Sequence, residues 1–122
     1  MNDLKALVEA EAPGWLAKAA ARTAAFKMAG CYNEEKGIWS AIKPVFMRLQ
    51  GGSKCAYCER KLESESYGKG EQDVEHFRPK SNVRAWKVPA SLAKLGVKVT
   101  PPPANGGGYY LLPYHLFNYC AA

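Results

Sequence analysis

The 122 residues amount to 13.4 kDa, the size of one domain. Apolar residues make up 48% and charged residues 23%, a globular balance that argues against a disordered chain. No apolar run nears the roughly 20 residues that span a bilayer, and the opening residues show no basic and apolar leader. Membrane insertion and export are therefore not expected, and a cytoplasmic protein is. Seventeen Lys and Arg against eleven Asp and Glu leave a net charge of +6 and a pI near 9.2, which favours a polyanionic partner, nucleic acid above all.

In chain order, residues 2–29 read as helix, interrupted at Pro13-Gly14. Asn2 or Asp3 can cap the start by accepting a hydrogen bond from free backbone N–H groups. Leu4, Leu7 and Val8 form one apolar stripe. Trp15, Leu16, Ala19, Ala20 and Phe26 form a second, with Pro13 suited to its first turn and Gly30 to its stop. Residues 38–50 are a third helix candidate, in which Pro44 predicts a kink or a late start because it lacks an N–H. Behind Gly51-Gly52 the texture changes. Lys54 to Leu62 is a short turn segment holding Cys55-x-x-Cys58, and Glu63 to Glu71 is polar loop. Asp73 to Phe77 alternates like a strand, ended by Pro79. Residues 87–108 read as an inserted Pro- and Gly-rich loop with a helical piece at Ser91–Leu95. Tyr109 to Tyr114 reads as a second strand, and His115 to Ala122 as the opening of a helix.

The four cysteines, Cys31, Cys55, Cys58 and Cys120, are too sparse for a secreted disulfide scaffold. In a reducing compartment Cys55-x-x-Cys58 reads as metal-binding or redox chemistry, and no βαβ setting of the thioredoxin kind accompanies it. Cys31 is most simply packing, His115 surface or packing, and Tyr109, Tyr110, Tyr114, Phe117 and Tyr119 core.

Three segments stand out: Lys54-Cys55-Ala56-Tyr57-Cys58-Glu59, then Asp73-Val74-Glu75-His76-Phe77-Arg78-Pro79-Lys80, then Tyr109 through Cys120. Together, over about residues 53–122, they resemble the HNH endonucleases, in particular the cysteine-containing branch found in bacterial defence and retron-associated proteins. The resemblance implies an α+β chain. An N-terminal helical segment (residues 1–52) would precede a ββα-metal, or His-Me finger, HNH core (residues 53–122) that lacks most of its last helix. It implies metal-dependent phosphodiester hydrolysis in anti-phage defence. DNA would be the substrate, with RNA the alternative, and a defence-system ATPase a candidate partner protein.

Such hydrolysis needs a water made nucleophilic, charge stabilisation on the phosphate and help for the leaving oxygen. By resemblance, His76 is the general base, Glu75 a ligand of a catalytic Mg²⁺ and Asn118 the amide that pins the histidine-bearing loop to its surroundings. Glu75 and His76 are sequence neighbours and so leave a regular strand on opposite faces; serving one site requires the strand to end or bulge there. Cys55 and Cys58 resemble half of a four-thiolate zinc site. The resemblance puts the remaining cysteines and a last-helix ligand beyond Ala122, so both metal sites are expected to be incomplete within these residues. Arg78 and Lys80 are candidate phosphate contacts by charge and position. The alternative is a non-catalytic zinc-knuckle module that binds nucleic acid or protein.

Overall fold

The computed structural model describes residues 3–64, 73–103 and 106–122. Helix α1 spans Leu4–Glu11, and its free N–H groups are met by the Asp3 side chain, which accepts from Lys5 N at 3.0 Å; Asn2 lies outside the described residues. Helix α2 spans Trp15–Ala29. Pro13 stands before it, not in its first turn. Gly14, at φ 79°, makes the left-handed turn between the helices and donates its N–H to the Glu9 carboxylate at 2.8 Å. Gly30, at φ 70°, closes α2 by donating to the Phe26 carbonyl at 2.8 Å.

The third helical stretch is split. A 3-10 turn at Trp39–Ala41 leads into α3, Lys43–Leu49. Pro44 falls in the first turn of α3, where a missing N–H costs nothing, so the late start comes about without a kink. The stripes of α1, α2 and α3 meet in a core of Val8, Trp15, Phe26, Ile42, Val45 and Met47. Each such side chain contributes roughly 1.5–3 kcal/mol when fully buried. The same cluster continues through Cys55, Leu62, Tyr114, Leu116 and Tyr119, so one core runs across the composition change at residue 52.

Strand β1 (Val74–His76) pairs antiparallel with β2 (Tyr119–Ala121), in the register Val74 with Ala121, Glu75 with Cys120 and His76 with Tyr119. Asp73 and Ala122 exchange two bonds of 2.9 Å beyond one end, and Phe77 N donates to Asn118 O at 2.8 Å beyond the other. Five residues of β1 side are therefore tied down, matching the strand expected at Asp73 to Phe77. Helix α3 lies against β2. A short helix α4, Ala90–Lys94, sits where the helical piece was expected. Among the described residues these four α-helices and one two-stranded antiparallel sheet make an α+β fold. No helix among them is long and apolar enough to cross a membrane. The loop expected over Glu63 to Glu71 lies largely outside the described residues.

Two further expectations fail, both in the last fourteen residues, and with them no ββα-metal arrangement is seen among the described residues. Tyr109 to Tyr114 is not a strand. Leu112 N bonds Tyr109 O, His115 N bonds Leu112 O and Asn118 N bonds His115 O, at 2.9–3.1 Å, so the chain turns repeatedly. Pro113 within it cannot donate to a ladder. His115 to Ala122 does not open a helix, because its second half is β2. There the Gln50 side chain completes the free side of β2. Its Oε1 accepts from Ala121 N and its Nε2 donates to Ala121 O, both at 2.8 Å. Backbone groups saturated in this way have no need of a helical turn.

Candidate active site

His76 ends β1, and the residues after it are held by Asn118. Asn118 is 5% exposed. Its Oδ1 accepts from Arg78 N at 3.0 Å, and its Nδ2 donates to Arg78 O at 3.2 Å and to Leu112 O at 3.1 Å. One amide thus occupies both backbone groups of Arg78 and ties them to the turn at Leu112. The opposite amide orientation would set oxygen against oxygen at two of these three contacts, so the network itself assigns the flip. With Phe77 N on Asn118 O, the segment leaving His76 is clamped at two successive residues.

The His76 ring is half-buried. It meets the Trp39 ring edge to face, centroids 4.8 Å apart at 84°, and Tyr119 at 5.7 Å. Its Nε2 lies 3.2 Å from the Pro113 carbonyl oxygen. A carbonyl accepts and cannot donate, so this bond requires the proton on Nε2 and leaves Nδ1 as the basic nitrogen. Burial pushes the imidazole below its ordinary pKa; the Pro113 carbonyl opposes this, the Lys80 ammonium reinforces it and the Glu75 carboxylate opposes it. The neutral form therefore dominates at pH 7, as a proton acceptor needs.

Both cations after His76 are engaged with aromatic faces. The Arg78 guanidinium lies 5.1 Å over the Tyr109 ring and donates to Thr100 O at 3.1 Å, where the Tyr109 hydroxyl also donates at 2.8 Å. The Lys80 ammonium lies 5.4 Å from the ring centroids of both Tyr32 and Trp39. Behind it Gly108, at φ 67°, packs so closely that a Cβ would sit 2.6 Å from Ser81 N and 2.9 Å from the Lys80 carbonyl carbon. Tyr109 N bonds Pro79 O at 2.9 Å. The Gly run thus works as a close backbone support for Pro79, Lys80 and Ser81.

Glu75 leaves β1 on the other face. The ladder is regular, without a bulge, and exposure alternates from half-buried Val74 to exposed Glu75 to half-buried His76. On the Glu75 face lie its cross-strand partner Cys120 and the Tyr57 side chain. Burial pushes the Cys120 thiol up, the Tyr57 hydroxyl opposes this by hydrogen bonding, and the Cys55 and Glu75 charges add to it. Glu75 and His76 therefore leave β1 on opposite faces; no bulge turns them to one side, although β1 ends at His76.

The cysteine turn is closed by short-range backbone bonds. Cys55 N donates to Arg60 O at 2.8 Å and Glu59 N to Cys55 O at 3.1 Å, with Glu59 in the left-handed region at φ 59°. This turn aims the N–H groups of Cys58 and Tyr57 at the Cys55 sulfur, the latter at 3.4 Å. Those N–H groups, Cys58 first, pull the Cys55 thiol below its ordinary pKa and favour the thiolate that binds soft cations. Cys55 is buried and Cys58 exposed. Ala56 N on Ala121 O at 3.4 Å, and Gln50 Nε2 on Lys54 O at 3.0 Å, moor the knuckle to β2. Among the described residues no three His, Cys, Asp or Glu side chains converge on one point.

Sequence reasoning passed over Trp39, Gln50 and the Glu75–Cys120 pairing. Trp39 carried a signal, since an indole N–H in a packed segment needs an acceptor. Gln50 carried none.

Comparison of the chain with protein-family models, with curated proteins and with solved structures finds no match. The resemblance to the HNH endonucleases therefore rests on the sequence motifs.

Proposed function

We propose that this chain carries the histidine-bearing half of an HNH-type endonuclease acting on DNA, with His76 as general base. The observation that carries this reading is the Asn118 clamp. A buried amide spends two of its three contacts on the backbone of Arg78, just past a histidine whose Nε2 is already committed to a carbonyl, and the third on tying that backbone to Leu112 O. A histidine that merely filled a core would need no such brace. Nδ1 of His76 takes the proton of the attacking water, and the neutral ring is ready to do so at pH 7. Lys80 and Arg78 place positive charge beside the path of a phosphodiester, as the basic balance of the chain favours.

A hard divalent cation such as Mg²⁺, when bound, supplies stabilisation of the pentacoordinate phosphate and of the leaving 3′ oxygen. Glu75 is the carboxylate the resemblance offers for it, and its place on the opposite face of β1 is a poor fit. Zn²⁺ fits better: Cys55 and Cys58 would hold it, with the N–H groups on the Cys55 sulfur stabilising the bound thiolate. A role in anti-phage defence beside an ATPase partner rests on the resemblance.

The expected result is Mg²⁺-dependent nicking of supercoiled plasmid that His76→Ala abolishes; cleavage retained in that variant removes His76 as the base. The cysteine knuckle favours a second reading, a zinc-held binding module. That reading predicts salt-sensitive DNA affinity without cleavage, because phosphate contacts release counterions.

A further inference from the structure

We infer that Trp39, which lies outside the nuclease-like half of the chain, is a positioning residue that holds the His76 imidazole and the Lys80 ammonium in one geometry. The inference rests on the nuclease reading for its catalytic meaning and on the contacts of Trp39 for its substance.

Four contacts converge on the indole. Its Nε1–H donates to the Pro113 carbonyl at 2.7 Å, the same oxygen that receives His76 Nε2 at 3.2 Å. A carbonyl has two lone pairs, so the two donors share it and each restricts the direction of the other. The Trp39 ring sets its plane at 84° to the imidazole, which blocks rotation of His76 towards that side. The indole carries Lys80 Nζ at 5.4 Å from its centroid, within the range of a cation–π attraction. It also stacks on Tyr114, centroids 5.0 Å apart at 27°.

Tyr114 is itself fixed, since its hydroxyl donates to the Glu34 carboxylate and receives Arg22 Nη1 at 3.2 Å. On the remaining side the backbone of Gly37 lies flush against the indole, and a Cβ there would fall inside the ring. Trp39 is thus wedged in one orientation between Gly37 before it and Tyr114 and the Pro113 carbonyl far along the chain, and it passes that orientation to His76 and Lys80. Any packed indole needs an acceptor; what distinguishes Trp39 is that it shares its acceptor with the imidazole and carries a cation at its ring.

The test uses the full chain and two variants. Trp39→Phe keeps an aromatic ring and loses the N–H; Trp39→Leu also loses the indole half of the seat that Lys80 shares with Tyr32. Long-range ¹H–¹⁵N spectra read the His76 tautomer, with His115→Gln assigning the two histidines. In the wild-type chain His76 is expected as the Nε2–H form, with cross-peaks from the Trp39 ring to His76 and to the Lys80 ε-methylene. Trp39→Phe is expected to move His76 towards the tautomer mixture of a free imidazole, and Trp39→Leu to move it further and leave Lys80 on Tyr32 alone. On plasmid, kcat is expected to fall about tenfold to a hundredfold with KM within about twofold, since misplacing a reacting group costs that much without weakening substrate binding.

An Nδ1–H form in the wild-type chain, or folded variants whose His76 signals match wild type, overturns the inference. If neither variant folds, the wild-type cross-peaks decide alone, and their absence overturns it. Plasmid cleavage lost in His76→Ala but unchanged in Trp39→Phe overturns the inference and leaves the nuclease reading intact. If the wild-type chain does not cleave, the spectra alone decide whether Trp39 orients His76.

Discussion

Replacing Asn118 gives a sharp test of the brace behind His76. Asn118→Ala removes three hydrogen bonds at a buried position and leaves Arg78 N–H, Arg78 C=O and Leu112 C=O without this partner. At about 1 kcal/mol net for each bond, the loss comes to about 3 kcal/mol, a large part of the 5–15 kcal/mol typical of a small domain. With a urea m-value of about 1.5 kcal/mol/M, the unfolding midpoint should fall by about 2 M, followed by tryptophan fluorescence. Asn118→Asp separates this account from simple loss of volume. The carboxylate is nearly the same size and can still accept from Arg78 N–H. Its second oxygen, however, faces two carbonyl oxygens that had received N–H groups. At pH 7 the Asp variant should therefore be less stable than the Ala variant by about 1 kcal/mol or more. Near pH 4 the gap should narrow, as the protonated acid can donate to one carbonyl. Amide exchange at Arg78 should quicken in both variants. An Asp variant within about 0.5 kcal/mol of wild type at pH 7 would refute the reasoning.

Gly108→Ala puts a methyl against Ser81 and Lys80 at a left-handed position, so a loss of about 2–4 kcal/mol is expected from strain and overpacking together; unchanged thermal stability would show that the Gly run does not support Lys80. The buried Tyr119 hydroxyl finds no hydrogen-bond partner among the described residues, so Tyr119→Phe should be neutral or stabilising by up to about 1 kcal/mol in urea unfolding, and a clear loss would reveal a partner for that hydroxyl. Because burial lowers the folded-state pKa of His76 below its ordinary 6.5, the neutral ring's contribution is present above pH 6.5 and is lost as pH falls through the folded value. The melting temperature should accordingly drop between pH 7 and 5, and His76→Gln should flatten that slope. Co²⁺ added to the reduced chain should give thiolate charge-transfer absorption that Cys55→Ser removes; absorption unchanged by that substitution would place the metal elsewhere.

The parts legible in the sequence are those decided by near neighbours. The apolar spacing of Leu4, Leu7 and Val8, and of Trp15, Ala19 and Phe26, defines helices whose ends Asp3, Gly14 and Gly30 set within a turn. Pro44 announces the late start of α3. The alternation around Val74 and His76 marks a strand, and Cys55-x-x-Cys58 marks a knuckle whose bonds close within six residues. The fate of residues 109–122 lay outside such reasoning. Aromatic residues and a proline suit a strand, a turn or a helix start equally well. The choice fell to partners 40 to 71 positions away: β1, the backbone of Arg78 and the side chain of Gln50.

For the candidate site, the resemblance pointed to the imidazole and the amide, and charge and position along the chain to the cations. Tertiary packing alone settled which face of β1 each one occupies. A two-residue period sends neighbours apart unless a bulge intervenes, and whether one does depends on the opposing strand. The β1–β2 ladder runs without one, so Glu75 joins Cys120 on one side and His76 joins Trp39, Tyr119 and Lys80 on the other. Pairing and packing between distant segments are set by the energy of the whole core, and no window of neighbouring residues contains that sum.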